Sequence, residues 1–307
     1  MGEPVTLRVL VTGASGRLGG RLASLLGDSF EVIGTQHRNP APETIPSLGT
    51  DLTQEGAIAR LLDRVRPDAV VHAAAMAEVE PCEKAAQEAH AINAGTWQEL
   101  GYETRRRQIR VIALSTDLVF DGGEPNRRPE DPARPLMRYG ISKFAGEQAL
   151  LSEAPDATVA RIALVIGCGH HQPTASESVL FALQAGKPLR LYTDQFRSPV
   201  DPESVADAIC RMLVGSSAGL YHIGGPERVS RHQLGLRVAA QFGLAVDGIT
   251  AVRQADNPPL VPRPADVSLD SSRTEAELGW KARPLDVGIS ESRLRAPSPA
   301  RRPGPRP

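Results

Sequence analysis

Two side chains suited to proton transfer, Tyr139 and Lys143, lie four positions apart in the segment RYGISKFAGE, residues 138–147. Residues at this spacing share one face of a helix, so a phenol and an ammonium group would stand side by side. A free phenol ionises near pH 10, and a neighbouring positive charge stabilises the phenolate and lowers its pKa. The spacing therefore predicts a tyrosine that gives a proton to a substrate oxygen, although an inert surface pair would have the same spacing.

Two further polar side chains are placed to act with this pair. Thr116 follows the apolar run RVIALS at the predicted end of a strand, and ligands of open α/β sheets collect at the carboxyl ends of the strands. We expect its hydroxyl to hold and align a substrate carbonyl oxygen. Asn93 lies in a predicted helix, where its amide either kinks the helix and orders a water at the cofactor or has a structural role in the interior.

A glycine-rich turn, TGASGRLGG, follows the first predicted strand and opens the first predicted helix. Its spacing is GxxGxxG, one residue different from the GxGxxG fingerprint, but the physical requirements are the same. The turn has to be tight, the backbone has to approach a pyrophosphate, and the helix N-terminus offers N–H groups and partial positive charge. The turn predicts a dinucleotide cofactor held by the following residues: Gly13, Ser15, Gly16, Arg17, Leu18 and Gly19.

The end of the second predicted strand, GTQHR, distinguishes NAD from NADP. An acidic residue there would bind the ribose 2′-hydroxyl and repel a 2′-phosphate. This segment has none, and Arg38 can hold a phosphate with two hydrogen bonds, with Thr35 and His37 beside it. NADP(H) is therefore the predicted cofactor. Further contacts to its adenosine are expected from Asp51, Leu52, Ala73, Ala74 and Ala75.

The scaffold for these residues is predicted by the first two-thirds of the chain, which has a βαβ pattern. Short apolar runs rich in β-branched residues alternate with longer amphipathic stretches, as in a parallel sheet covered by helices on both faces. The predicted fold class is α/β, a Rossmann-type doubly wound parallel sheet. The predicted strands are 7–12, 30–35, 69–74, 110–115 and 158–166, and the predicted helices are 17–27, 54–65, 83–101 and 140–152.

The pattern changes after residue 166, where segments become shorter and richer in proline. We expect residues 1–166 to form the NADP(H)-binding domain, with contributions from 194–225, and 167–290 to form mainly a smaller α/β substrate domain. The predicted elements there are helices 175–186 and 202–214, strands 189–192 and 219–223, and a helix that begins at Ser230 with Gln233 completing a capping box. The Pro- and Arg-rich segment 291–307 predicts disorder.

The overall composition argues against several classes of protein. Lys and Arg number 35 against 36 Asp and Glu, and this balance gives no attraction to nucleic acid or to an acidic membrane. Cys82, Cys168 and Cys210 match no metal spacing and fit a reducing compartment. The first apolar run is too short for a signal peptide or a membrane span. We expect a cytoplasmic protein, a monomer or homodimer, with no metal and no nucleic-acid or membrane partner.

Three motifs in this order, TGASGRLG, STDLVFDG and YGISKFAGE, resemble the extended short-chain dehydrogenase/reductase family. Within it, DQFRSPVDPESVADAI, YHIGGPE and RPADVSLDSS are similar to the dTDP-4-dehydrorhamnose reductase group. The resemblance implies a Rossmann domain that carries NADP(H), a C-terminal substrate domain, and reduction of a 4-keto-6-deoxy nucleotide sugar, with dTDP as the expected nucleotide. By motif position, Thr116, Tyr139 and Lys143 take the catalytic roles.

The chain departs from that group at aromatic positions. Leu118 stands where the group has Tyr after the STD motif, and Leu164 stands where it commonly has Trp. These aromatics contact sugar and base in the group, so the departures indicate a related keto sugar or another cyclic ketone as substrate. Substrate contacts are expected from Asp117, and from Arg197 and Arg263 at a diphosphate, with a solvated surface role as the alternative for either arginine.

Two other functions are compatible with the same motifs. An epimerase or dehydratase of the family would retain NAD and need a further acid–base pair, and the absence of a Glu after Asp117 argues against dehydration. A cofactor-binding regulatory subunit, like the β subunit of methionine adenosyltransferase, which this group also resembles, would not need Thr116, Tyr139 and Lys143. The presence of all three favours an enzyme.

Overall fold

A computed structural model describes residues 6–292, and its central element is a sheet of seven parallel strands. These strands are β1 (Arg8–Thr12), β2 (Glu31–Gln36), β3 (Ser47–Gly49), β4 (Ala69–His72), β5 (Arg110–Thr116), β6 (Thr158–Ile162) and β9 (Gly219–Ile223). Their order across the sheet is β3-β2-β1-β4-β5-β6-β9, so the strand order reverses next to β1. Ligands of doubly wound sheets bind at the carboxyl ends near such a reversal. The predicted fold class is confirmed.

Both faces of the sheet are apolar because helices cover both. Val9, Leu10 and Val11 of β1 are all fully buried, although successive strand residues point to opposite faces. Val9 and Val11 pack in one core with helices α1 (Arg17–Leu26) and α8 (Pro202–Val214). Leu10 packs in a second core with α2 (Ala57–Val65), α5 (Thr96–Arg107) and α6 (Arg138–Glu153). This burial on both sides explains why the strand sequences are apolar almost throughout.

The predicted single helix 83–101 is wrong, because the chain breaks into four pieces over this region. They are α3 (Val79–Lys84), α4 (Ala86–His90), a π-helical turn (Ala91–Gly95) and α5. Ala85, with φ −128° and ψ 58°, separates α3 from α4. The π turn contains Asn93, at the position where the sequence predicted a kink. Single π turns inside helices occur frequently at functional sites.

Three further elements differ from the prediction: one strand ends earlier, one strand was not predicted, and one helix begins later. The strand predicted over 158–166 ends at Ile162, because the chain then leaves the sheet and the N–H of Ile166 donates to the Val200 carbonyl at 3.0 Å. Strand β3 was not predicted, since three residues with one glycine are too short to show a pattern. The predicted helix 54–65 begins three residues later, at Ala57.

The second part of the chain contains short strands and helices around a third apolar core. Ser230 begins a helix as predicted, because its hydroxyl accepts the Gln233 N–H at 3.0 Å and the Gln233 side chain accepts the Ser230 N–H at 2.8 Å. The elements not yet named are α7 (Ala175–Gln184), β7 (Leu189–Tyr192), β8 (Phe196–Arg197), β10 (Val229–Ser230), α9 (Arg231–Gln241), β11 (Ile249–Val252), α10 (Ser272–Leu278) and α11 (Leu285–Ser290).

The predicted division at residue 166 stays a prediction, and α8 and β9, from beyond it, lie in the layers of the main sheet. The tail predicted to be disordered lies outside the described residues except for its first two. Of these, Ser292 is buried, and its hydroxyl lies 2.7 Å from that of Ser176. Within residues 6–292 no helix is long and apolar enough to cross a membrane.

Candidate active site

A cleft of about 780 Å³ lies at the carboxyl ends of β1, β4 and β5. It brings together nearly all the side chains predicted from the sequence, from both parts of the chain. Asn93 and Arg263 are the two members of the predicted set that do not line it. The predicted residues that do line it are Gly13, Ser15, Gly16, Arg17, Leu18, Gly19, Thr35, His37, Arg38, Asp51, Leu52, Ala73, Ala74, Ala75, Thr116, Asp117, Tyr139, Lys143 and Arg197.

The glycine turn at the floor of the cleft has no room for side chains. Gly13 has φ +67°, and a Cβ there would lie 2.6 Å from the Ala74 Cα atom. A Cβ on Gly19 would lie 2.3 Å from the Gly13 carbonyl oxygen. Helix α1 begins after Gly16, which supplies no side-chain cap, so the first N–H groups of the helix face the cleft. This arrangement fits a pyrophosphate, which such N–H groups bind.

The expected 2′-phosphate end of the cleft differs in part from the prediction. Arg38 is 76% exposed, and its guanidinium lies 3.3 Å from the Glu88 carboxylate of α4. Thr35 is buried, and its hydroxyl accepts the Gly13 N–H at 3.1 Å. The expectation that Thr35 adds a bond to the phosphate stays a prediction, since its hydroxyl oxygen holds the glycine turn and its hydrogen can still be donated. Because this ion pair is exposed, Arg38 can exchange Glu88 for an anion at the end of β2.

Tyr139, the second residue of α6, is next to Thr116 at the end of β5. A Cβ on Gly140 would lie 2.2 Å from the Leu118 carbonyl oxygen, so this first turn of α6 packs directly on the chain that follows Thr116. Burial raises the pKa of Tyr139 to about 12, and a hydrogen bond with the Thr116 side chain opposes the rise. The charge of Arg17 opposes the rise as well, and the lowering expected from Lys143 is not among the effects on this phenol when no cofactor is bound. The phenol is protonated at neutral pH, which is the form that can donate a proton.

Lys143 lies one turn further along α6 and is almost fully buried. Its Nζ donates to the Leu114 carbonyl at 2.7 Å and lies 4.2 Å from the centre of the Trp97 ring. Burial lowers the pKa of Lys143 to about 7, and the negative charge of Glu147 partly opposes this. The Lys143 ammonium therefore loses its proton more readily than that of an exposed lysine, so its charge is sensitive to whatever occupies the cleft.

Of the two roles expected for Asn93, the contacts in the structure fit the structural one. Its Nδ2 donates to the Met76 carbonyl and to the Ser142 hydroxyl, each at 3.0 Å, and its Oδ1 accepts the Met76 N–H at 3.0 Å. The buried amide thereby ties the π turn to α6 and to the chain after β4. These bonds use both amide hydrogens and one lone pair, so Asn93 positions the wall that carries Tyr139 and Lys143.

The opposite end of the cleft is cationic. The Arg197 guanidinium lies 2.7 Å from the Asp117 carboxylate, both largely buried. Arg231, the first residue of α9, also lines this end, and no side-chain hydrogen bond connects it to any described residue. Burial lowers the pKa of Arg231 to about 10, and the charges of Arg197 and Arg263 act in the same direction. Positive charges held this close together favour an anion between them.

Arg231 was missed by the sequence reasoning, although the capping box at Ser230 placed it at a helix start. Arg263 was predicted to contact the substrate, but its guanidinium is bound to the Glu80 carboxylate of α3 and lies outside the cleft lining. This ion pair connects the segment that precedes Asp266, a residue paired with Phe196 of β8, to helix α3 beside the cleft. In this structure Arg263 acts on the cleft through its charge, and its contact with a substrate stays a prediction.

The seven-stranded sheet, the glycine turn and the tyrosine–lysine pair define a dinucleotide-binding protein of the reductase type. The chain belongs to the RmlD substrate binding domain family, whose model matches residues 7–293. The resemblance read from the sequence is confirmed, and with it the predicted class of enzyme, an oxidoreductase.

Individual relatives extend over nearly the whole chain. The probable low-salt glycan biosynthesis reductase Agl14 of Haloferax volcanii is 31% identical over 290 residues, which cover 91% of this chain and 95% of that protein. The methionine adenosyltransferase 2 subunit beta of Rattus norvegicus is 28% identical over 295 residues, which cover 93% of this chain and 86% of that protein.

Solved structures show the same fold. The hypothetical dTDP-4-dehydrorhamnose reductase of Sulfolobus tokodaii has a TM-score of 0.82 and 31% identity, and the match covers 92% of this chain and 99% of that one. The dTDP-4-dehydrorhamnose reductase of Bacillus anthracis, solved in complex with NADP, has a TM-score of 0.82 at 20% identity. The match covers 94% of this chain and 98% of that one. At that identity the second likeness concerns the fold alone.

Proposed function

We propose that the protein reduces a keto group of a nucleotide-linked deoxysugar with NADPH. The observation that carries this proposal is the pairing of Tyr139 with Thr116 inside a cleft that has a glycine turn at one end and Arg197 and Arg231 at the other. A protonated phenol beside a hydroxyl suits a carbonyl oxygen that receives a proton. The relatives named as reductases support the same reaction class.

The residues of the first end fit NADPH. The open N–H groups of α1 would hold the pyrophosphate, Arg38 the 2′-phosphate, and Lys143 the hydroxyls of the nicotinamide ribose. Bound there, the reduced nicotinamide supplies a hydride to a carbonyl carbon. Holding cofactor and substrate in one cleft turns an encounter between two molecules into an oriented contact, which can remove several kcal/mol from a barrier.

Tyr139 then acts as the general acid. As negative charge develops on the substrate oxygen, the phenol donates its proton to that oxygen, and the Thr116 hydroxyl holds the oxygen in place. The charged Lys143 on the same helix face stabilises the phenolate that remains. Because burial raises the pKa of Tyr139 to about 12, the tyrosine stays protonated until charge on the substrate draws the proton away.

The second end of the cleft supports an anionic substrate. Arg197 is neutralised by Asp117, whereas Arg231 has no such partner among the described residues, so Arg231 is the side chain left for a diphosphate. Leu118 and Leu164, which stand where the resembling group has aromatics, also line the cleft. We propose that the substrate is a nucleotide diphosphate keto sugar that is related to dTDP-4-dehydrorhamnose but is not dTDP-4-dehydrorhamnose itself.

A non-catalytic role is the second candidate, because proteins named methionine adenosyltransferase 2 subunit beta match at 28% identity over 93% of the chain. In that role the chain would bind NADP and a partner enzyme without turnover. The presence of Thr116, Tyr139 and Lys143 together in the cleft favours the reductase.

We place the protein in the cytoplasm as a monomer or homodimer.

The test is NADPH consumption with a panel of nucleotide-linked 4-keto sugars, followed at saturating cofactor. The proposal predicts turnover with at least one member and a preference for NADPH over NADH. Full cofactor binding without turnover of any member would overturn the reductase assignment. A stable complex with a second enzyme, unaffected by Tyr139→Phe, would then favour the regulatory role.

A further inference from the structure

The Lys143 ammonium is held by a carbonyl and an aromatic face rather than by a carboxylate. Its Nζ donates to the Leu114 carbonyl at 2.7 Å and lies 4.2 Å from the centre of the Trp97 ring. Trp97, on α5, is fully buried. A cation over an aromatic face is stabilised by the ring quadrupole, most strongly by indole and most strongly where water is excluded.

The acidic group nearest along the helix is already engaged elsewhere. Glu147, one turn beyond Lys143, is bound by the Arg161 guanidinium at 2.7 Å and by the Ser115 hydroxyl. The other titratable groups that face Lys143 carry no charge at neutral pH. Burial lowers the pKa of His72 to about 3, raises that of Cys82 to about 11 and raises that of Tyr139 to about 12. The groups at Lys143 that favour its charged form are thus the Leu114 carbonyl, the Trp97 ring and the charge of Glu147.

The ring cannot move away from the ammonium, because it is enclosed on both sides. A Cβ on Gly146 of α6 would lie 3.1 Å from the Trp97 Cδ2 atom, so α6 packs against the indole without an intervening side chain. On another side the His72 ring meets the indole edge-on, with the ring centres 5.5 Å apart. The Trp97 Nε1 has no hydrogen-bond partner among residues 6–292. A buried N–H without a partner costs free energy, so the indole is of use here for its ring face.

We propose that Trp97 is a positioning residue whose ring face holds the Lys143 ammonium in its charged form beside the cofactor cleft. The catalytic consequence rests on the proposed reductase function. Without the ring, Lys143 loses its proton at lower pH, the phenolate of Tyr139 loses its positive neighbour, and the upper pH limit of activity falls. The charge state itself can be measured without substrate or cofactor.

The chain offers a clean measurement, because it has four lysines and the other three, Lys84, Lys187 and Lys281, are exposed. Protein labelled with [ε-¹³C]lysine is titrated from pH 5 to pH 11 by NMR, in the form without cofactor. The variants are Trp97→Leu, which removes the ring, and Trp97→Phe, which keeps a smaller one. Tyr102→Leu is the matched control, since Tyr102 lies on the same helix under Arg106, away from Lys143.

We expect Lys143 to titrate near pH 7 in the natural protein and about one pH unit lower in Trp97→Leu, the shift that a buried cation–π contact supports. Trp97→Phe should give a smaller shift in the same direction, and it serves as the test if Trp97→Leu fails to fold. Tyr102→Leu should leave the titration unchanged.

An upward shift in either Trp97 variant would overturn the proposal, because the ring would then act only by excluding water from the ammonium. An unchanged titration would overturn it as well. With an active substrate in hand, the high-pH limb of kcat should fall by the same amount as the Lys143 titration. Failure of the NMR prediction leaves the reductase assignment standing, and absence of turnover leaves the NMR prediction standing, so the two are separable.

Discussion

The Glu83 carboxylate accepts the backbone N–H of Arg138 at 2.7 Å, at the point where α6 begins. Helix α6 has no side-chain cap of its own, since Met137 occupies the cap position, and its first turn has no acidic residue. Glu83, from α3, therefore caps the helix from outside. The next residue is Tyr139, so this bond fixes the turn that carries the proposed proton donor.

Glu83→Ala should lower the free energy of unfolding by about 1 kcal/mol, the usual cost of losing a helix cap, as measured by urea denaturation. It should also lower kcat several-fold with little change in the dissociation constant of NADPH, because the turn carrying Tyr139 is less ordered. Glu83→Gln keeps an acceptor oxygen and should retain most of the stability and most of kcat. Lys84→Ala, on the same helix, is the control. Equal losses in Glu83→Ala and Lys84→Ala would show that the cap does not matter.

Arg38→Ala should weaken binding of NADPH far more than binding of NADH, because it removes the cation proposed for the 2′-phosphate. Glu88→Gln should act in the opposite direction and strengthen NADPH binding by a few-fold, since the Glu88 carboxylate competes for the same guanidinium. Fluorescence titration of both cofactors against both variants measures these effects. Equal weakening of the two cofactors by Arg38→Ala would show that the phosphate lies elsewhere.

Arg231→Gln should raise the KM of the substrate by about tenfold or more and leave NADPH binding unchanged. Removing a guanidinium from a partly buried anion site costs roughly 1.5–3 kcal/mol for a charge-assisted hydrogen bond. Arg253→Gln, at an exposed position in the same part of the chain, is the control. Were NADPH binding to weaken along with the substrate, Arg231 would belong to the cofactor site.

The free energy of unfolding should fall as the pH falls below about 6.5. Burial lowers the pKa of both His72 and His222 to about 3, whereas an imidazole in the unfolded chain binds a proton near pH 6.5. Between these values the unfolded state takes up protons that the folded state does not, so the stability that the two neutral histidines contribute is present above about pH 6.5 and is lost on acidification. The loss approaches about 1.4 kcal/mol per pH unit for each histidine.

Urea denaturation from pH 6.5 down to pH 4.5 measures this slope. Carboxylates titrate below this range, and the buried Lys143, whose pKa is lowered to about 7, adds a slope of its own above it. His222→Gln should roughly halve the slope. A stability that does not change over this range would show that the two imidazoles bind protons equally well in the folded and unfolded states.

The sheet and the cofactor end of the cleft could be predicted because their signals are local. Strands buried on both faces have to be apolar throughout. The glycine turn needs residues without a Cβ, because a Cβ on Gly13 would lie only 2.6 Å from the Ala74 Cα atom. Tyr139 and Lys143 were predicted because a fixed spacing of four residues places them on one face.

The contacts that tune these residues could not be predicted, because they join segments far apart in the chain. Trp97 faces Lys143 only through the packing of α5 on α6, and Arg231 joins Arg197 only through the folding of the second part. Thr35 and Asn93 show a related limit, because both side chains make backbone contacts that the sequence did not reveal. A polar side chain near a ligand site has two possible partners, the ligand and the backbone, and sequence does not distinguish them.

The central claim is that hydride from NADPH reaches a keto carbon of the substrate while Tyr139 protonates the oxygen. Reactions with NADPH deuterated on the transferred position, followed by mass spectrometry of the sugar product, measure this directly. The account predicts one deuterium in the product and a rate on the order of 100-fold or more lower for Tyr139→Phe, with NADPH binding unchanged. A product without deuterium, or an undiminished rate in Tyr139→Phe, would contradict it.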